Sequence, residues 1–175
     1  AASDPGQALL IAARRGDQET VMALLDSKVE IDFTTRDSYT ALAYAAGAGH
    51  LDLVKLLLQR GADVNKRGWL AKTPFAVAVQ GGHLDVLKFL VAKKADIHTR
   101  VQHGGGMSGD AVFWGQPEVL EYLISLGLSV NDAPPRNLWT PLHNATWRLT
   151  KGPQHLRGRI AATDKILFAH GADKN

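Results

Sequence analysis

The residues best suited to chemistry are few and scattered. His103-Gly104-Gly105-Gly106 looks like the oxyanion-hole segment of lipases, where backbone N–H groups stabilise developing negative charge. That use needs a nucleophilic serine in a Gly-x-Ser-x-Gly turn, and the chain has none. The same glycines could cradle a phosphate, but no Lys-Ser or Lys-Thr follows them, as a phosphate loop requires. The absence of cysteine removes thiol nucleophiles, disulfides and thiolate-bound zinc. His98, His103, His143, His155 and His170 do not share metal-ligand spacing on one helix. No carboxylate pair stands out as a general acid and base. The expectation is a protein that is not an enzyme, with no cofactor and no metal.

Composition sets the frame in which the other residues must be placed. A chain of 175 residues corresponds to roughly one domain at about 150 residues each. Apolar residues at 45% and charged residues at 21% are ordinary for a globular domain. No stretch approaches the ~18 to 20 apolar residues of a membrane span. The net charge of +3 leans toward an acidic partner without demanding nucleic acid. A cysteine-free chain suits an oxidising compartment and equally a bacterial cytosol, and the start Ala1-Ala2-Ser3 fits an expression scar, a trimmed chain or a removed signal peptide. A periplasmic or secreted location is slightly favoured over a cytoplasmic one.

A repeat organises the sequence. Gly16, Gly49, Gly82 and Gly115 recur every 33 residues, and so do Asp32, Asn65, His98 and Asn131. The stretch from Gly49 to Leu57 reappears from Gly82 to Leu90 and, more weakly, from Gly115 to Leu123. Thr40, Thr73 and Thr140 stand where a hydroxyl would cap a helix. Pro74 and Pro141 follow two of them, at a position where a missing N–H costs nothing. Ala45-Ala46 and residues 76–78 allow a first helix to pack closely. Leu53, Val54, Leu56 and Leu57 form the apolar stripe of a second helix. Gly61, Gly127 and Gly171 fit left-handed helix ends. His50 and His83 recur at one register position, which predicts a structural role, and Asp63, Asp96 and Asp173 read as turn residues.

These motifs resemble those of ankyrin-repeat proteins: Thr73-Pro74, Thr140-Pro141-Leu142-His143, Gly49-His50, Gly82-His83, Gly61-Ala62-Asp63-Val64-Asn65 and Gly171-Ala172-Asp173. The resemblance implies an all-α solenoid of helix-turn-helix units with protruding loop or β-hairpin fingers. It predicts one domain over residues 1–175, with repeats at about 5–34, 35–67, 68–100, 101–133 and 134–175. Gly127 and Gly171 stand 44 residues apart, so the last repeat carries an insertion, expected as a loop over about 149–158. The glycines at 104–106 and Gly109 replace the capped helix start of the fourth repeat, which should be locally the weakest.

The resemblance also implies that the fingers and the exposed side of each first helix form a concave binding face. By register this face collects Arg15, Arg36, Tyr39, Arg67, Trp69, Lys72, Arg100, His103, Phe113, Trp114, Trp139, Trp147 and Arg148. All four tryptophans of the chain are among them. Indoles beside arginines are the residue types that dominate protein interfaces. The expected function is non-catalytic protein binding to an acidic or mixed acidic and apolar epitope, by a chain that is monomeric when free. Binding would inhibit or shield against a target enzyme, such as a bacterial cell-envelope enzyme in a self-protection role. The alternatives are a scaffold or adaptor, or a binder of nucleic acid or another anionic ligand.

Overall fold

Threonine and proline set the starts of the first helices, and glycine sets their ends. The computed structural model describes residues 4–100, 106–131 and 140–172. The chain separates by its contacts into two compact units, Ala1–Ile97 and His98–Asn175. The division falls next to the boundary expected between the third and fourth repeats.

The first unit holds three helical pairs: α1 (Pro5–Arg15) with α2 (Gln18–Asp26), α3 (Ala41–Ala48) with α4 (Leu51–Gln59), and α5 (Pro74–Gly81) with α6 (Leu84–Ala92). Helix α3 packs against both α1 and α5, and α4 packs against α6. The second unit holds α7 (Met107–Phe113) with α8 (Pro117–Ser125), and α9 (Pro141–Lys151) with α10 (Arg157–Ala169). There α7 packs on α9, and α10 packs on both α8 and α9. The fold class is all-α, with no strand among the described residues. The fingers expected as possible β-hairpins are turns in the first unit, where the second of them closes through a 3-10 turn at Trp69–Ala71.

The caps act as the sequence predicts. The Thr40 hydroxyl accepts the Ala43 N–H at 3.1 Å, Thr73 accepts that of Ala76 at 3.3 Å, and Thr140 accepts that of His143 at 3.4 Å. Gly49 and Gly82 close α3 and α5 in the left-handed region at φ 78° and 76°. The alanines of these helices are fully buried at positions 45, 46, 76 and 78. They let the helices approach so closely that a Cβ on Gly81 would strike the Gly47 carbonyl oxygen. Leu53, Val54 and Leu57 of α4 and Val86, Leu87 and Leu90 of α6 turn inward. Burying each such side chain stabilises the fold by about 1.5 to 3 kcal/mol.

Register positions become contacts between successive pairs. The His50 ring lies against Gly16, with its Nε2 3.2 Å from the Arg14 carbonyl oxygen, and the His83 ring lies against Gly49. In the second unit Arg159 and Ile160 take that place against Gly115, and Arg159 Nε donates to the Gly115 carbonyl at 2.7 Å. Asp32 accepts the Asp63 N–H at 3.2 Å, and Asn65 accepts the Asp96 N–H at 2.8 Å. Asn131 Nδ2 donates to the Gly171 carbonyl at 3.5 Å. Asp63 also accepts the Asn65 N–H at 2.9 Å, as a turn residue does; Asp173 lies outside the described residues.

The segment expected as an inserted loop is largely helical. Helix α9 runs on through Leu149, Thr150 and Lys151, and a 3-10 turn at Gln154–Leu156 leads directly into α10. Arg148 and Lys151 in its last turn complement the negative end of the helix dipole. The helix stops at Gly152 because a residue before proline is pushed to extended backbone, and Gly152 lies at φ −80°, ψ 170° ahead of Pro153. The break is thus narrower than polar composition implied.

Candidate protein-binding site

In the second unit, α7 and α9 bring three aromatic rings and one cation together. Phe113 ends α7 and Trp114 follows as its C-cap, so the two rings diverge from one turn. Trp147 and Arg148 are consecutive on α9. Phe113 is half-buried at the centre of the group. Its ring stacks with Trp147 at 6.3 Å between centroids and 10° between planes. Trp114 meets it edge-on at 5.4 Å. The Arg148 guanidinium carbon stands 4.5 Å from the same ring centroid. Such ring and cation contacts each add about 0.5 to 1.5 kcal/mol beyond the area they bury. The outcome is a fixed platform: Trp114 is 39% exposed and Trp147 41% exposed.

A smaller cluster stands in the first unit. Trp69 contacts Tyr39 at 5.9 Å, and Tyr39 meets Tyr44 of α3 edge-on at 5.3 Å. The Trp69 N–H donates to the Ser38 carbonyl at 3.0 Å, tying one finger to the next. Leu70 and Ala71, at φ 56° and 57°, adopt the left-handed backbone that costs about 1 to 2 kcal/mol per residue outside glycine. Burial, and then the neighbouring Tyr44, push the Tyr39 phenol above its usual pKa, so it stays neutral.

Two cations expected on the exposed binding face are buried. Lys72 is 8% exposed, because it precedes the buried cap Thr73 at the point where the finger enters the core. Arg148 is 9% exposed, because α9 turns it onto Phe113. Arg15, Arg36, Arg67 and Arg100 are exposed. No ring contact or ion pair among the described residues ties Arg15, Arg36 or Arg67 to either cluster. His103 and Trp139 lie outside the described residues. The sequence reading missed Tyr44. Its signal was a lone large ring in an alanine-rich helix, one turn before Ala48 on the same face.

The glycine run at 104–109 does carry Gly-x-Gly-x-x-Gly spacing. Gly109 lies inside α7, and no strand precedes that helix among the described residues. Among the described residues no three His, Asp or Glu side chains converge as a metal site, and no helix is long and apolar enough to cross a membrane.

Comparison with known families matches this architecture. Residues 9–101, more than half of the chain, match the family described as ankyrin repeats (3 copies). The chain is an ankyrin-repeat protein. Residues 110–151 match a second description of the same repeat, ankyrin repeats (many copies), so the family reaches into both compact units. No curated protein matches the chain. Ankyrin repeats generally mediate protein–protein interaction, and the family is typically non-catalytic.

Proposed function

We propose that this ankyrin-repeat protein docks another protein through the Phe113–Trp114–Trp147 platform, with Trp69 and Tyr39 of the first unit as a second contact. The observation that carries this reading is the pair of indoles, each about two-fifths exposed yet fixed against one phenyl ring. Rings already held in place lose little freedom on binding, so more of their burial appears as affinity. Arg15, Arg36, Arg67 and Arg100 steer an acidic or mixed acidic and apolar epitope and mainly raise the association rate. Binding inhibits by occlusion: the partner is an enzyme, and the chain covers it. A bacterial cell-envelope enzyme restrained for self-protection fits a cysteine-free, basic chain.

Affinity capture from native extract tests this with wild type and a Trp114→Ala/Trp147→Ala variant. The expected result is loss of the main captured protein by the variant, with its helical circular dichroism retained. Wild-type chain added to the captured enzyme lowers its turnover. Equal capture by both proteins means that another surface binds. Capture without loss of turnover removes inhibition and leaves tethering.

A further inference from the structure

Arg148 is an arginine in an unusual position. It sits in the last turn of α9, 9% exposed, with its guanidinium over the Phe113 face. Its Nε is enclosed and has no hydrogen-bond partner among the described residues. Arg60 and Arg159 each meet a carboxylate, at 2.8 Å and 3.5 Å, but Arg148 has no such ion pair among the described residues. Of its three nitrogens, Nε is the one that is both enclosed and without a hydrogen-bond partner among the described residues. Burying a guanidinium forfeits hydration, and a phenyl face returns only part of it. Free folding alone would be served as well by methionine.

We infer that Arg148 is the receptor for an aspartate or glutamate side chain of the docked protein, seated between Trp114 and Trp147. This rests on the reading of the platform as a docking site. A planar guanidinium presents its donors as a fork that matches a carboxylate, and its carbon stands 4.5 Å from the Phe113 ring centroid. The two indoles that meet the same Phe113 ring exclude water once the partner covers them, which strengthens the pair. A small free anion would leave both indoles wet, whereas a protein side chain beside an apolar neighbour covers them together.

A phage-displayed library of random peptides, selected against the full chain, tests the inference. Enriched peptides are expected to share an acid beside an apolar residue. Their affinity should fall about ten-fold or more on Arg148→Met, and equally when the peptide acid becomes its amide. Combining the two changes should cost no more than either alone. The Arg148→Met melting temperature should stay at or above wild type, which a purely structural arginine would not allow. Should that variant fail to fold, the peptide substitution and Arg148→Lys decide. Peptides lost with Trp114→Ala/Trp147→Ala but indifferent to Arg148 and to their own acid overturn the carboxylate receptor and leave the docking site standing. Peptides indifferent to the tryptophans as well, or no enrichment at all, overturn both.

Discussion

Asp32 fills a register position that Asn65 and Asn131 fill elsewhere, and the difference has a physical consequence. Each of the three side chains reaches the following turn, but only Asp32 brings a charge. Its partial burial raises the carboxyl pKa above the usual value. The Asp63 N–H works against that rise, and the Asp63 carboxylate adds to it. A raised pKa in the folded state means that protonation favours folding, so this contribution is present at low pH and lost as pH rises through the shifted pKa. Asp32→Asn keeps the acceptor for the Asp63 N–H, and its Nδ2 adds a donor like that of Asn65, which donates to the Lys94 carbonyl at 3.4 Å. At neutral pH Asp32→Asn should raise stability slightly, since solvent screens the effect at this partly exposed site. The gain should shrink as pH falls through the carboxylate range. Urea denaturation at both pH values checks this, and a less stable variant at neutral pH contradicts it.

Helix starts depend on neighbours in sequence, which makes their energetics separable. Thr40 and Thr73 are buried caps at 0% and 2% exposure, whereas Thr140 is only partly buried and its bond is longer. Removing a buried cap strands an N–H that water cannot reach. Thr40→Ala and Thr73→Ala should each cost about 1 to 2 kcal/mol, and Thr140→Ala less, as read from denaturation midpoints. The same locality explains what the sequence made legible. Caps, proline starts, left-handed glycines and the alanine-lined helices are all set by residue type, and in the second and third repeats the structure has them where the 33-residue register puts them. The fate of Lys72 and Arg148 was not legible, because burial of a long cation is decided by the element that covers it. Helix α9 outran its expected end because local composition marked a loop, while the stop itself was set by one proline. Tyr44 went unseen since its value lies in its contact with Tyr39, in the finger just before α3.

The two compact units differ in how completely their polar groups are satisfied, and this sets their relative stability. In Ala1–Ile97, α3 and α5 start on side-chain caps and bury alanine throughout. In His98–Asn175, α7 has seven residues, starts on Gly106 without a side-chain cap, and carries Gly109 inside it. Thr99 Oγ1, Ser108 Oγ and Arg148 Nε are enclosed there without partners among the described residues. A mid-helix glycine costs about 0.5 to 1 kcal/mol, and an enclosed unpaired group about 1 to 3 kcal/mol. Opening of α7 and α8 should therefore need less free energy than opening of α3 to α6. Their amides should exchange with deuterium at least about ten-fold faster, since ten-fold corresponds to about 1.4 kcal/mol. Gly109→Ala probes the cause directly. Its Cβ would sit 3.4 Å from Asn144 Nδ2 and 4.0 Å from Pro141 Cγ, ordinary contacts that need no rearrangement. The substitution should slow exchange in α7 and leave α3 and α5 unchanged. Equal protection across all the first helices, or no response to Gly109→Ala, would place the weakness elsewhere than in the glycines of the fourth repeat.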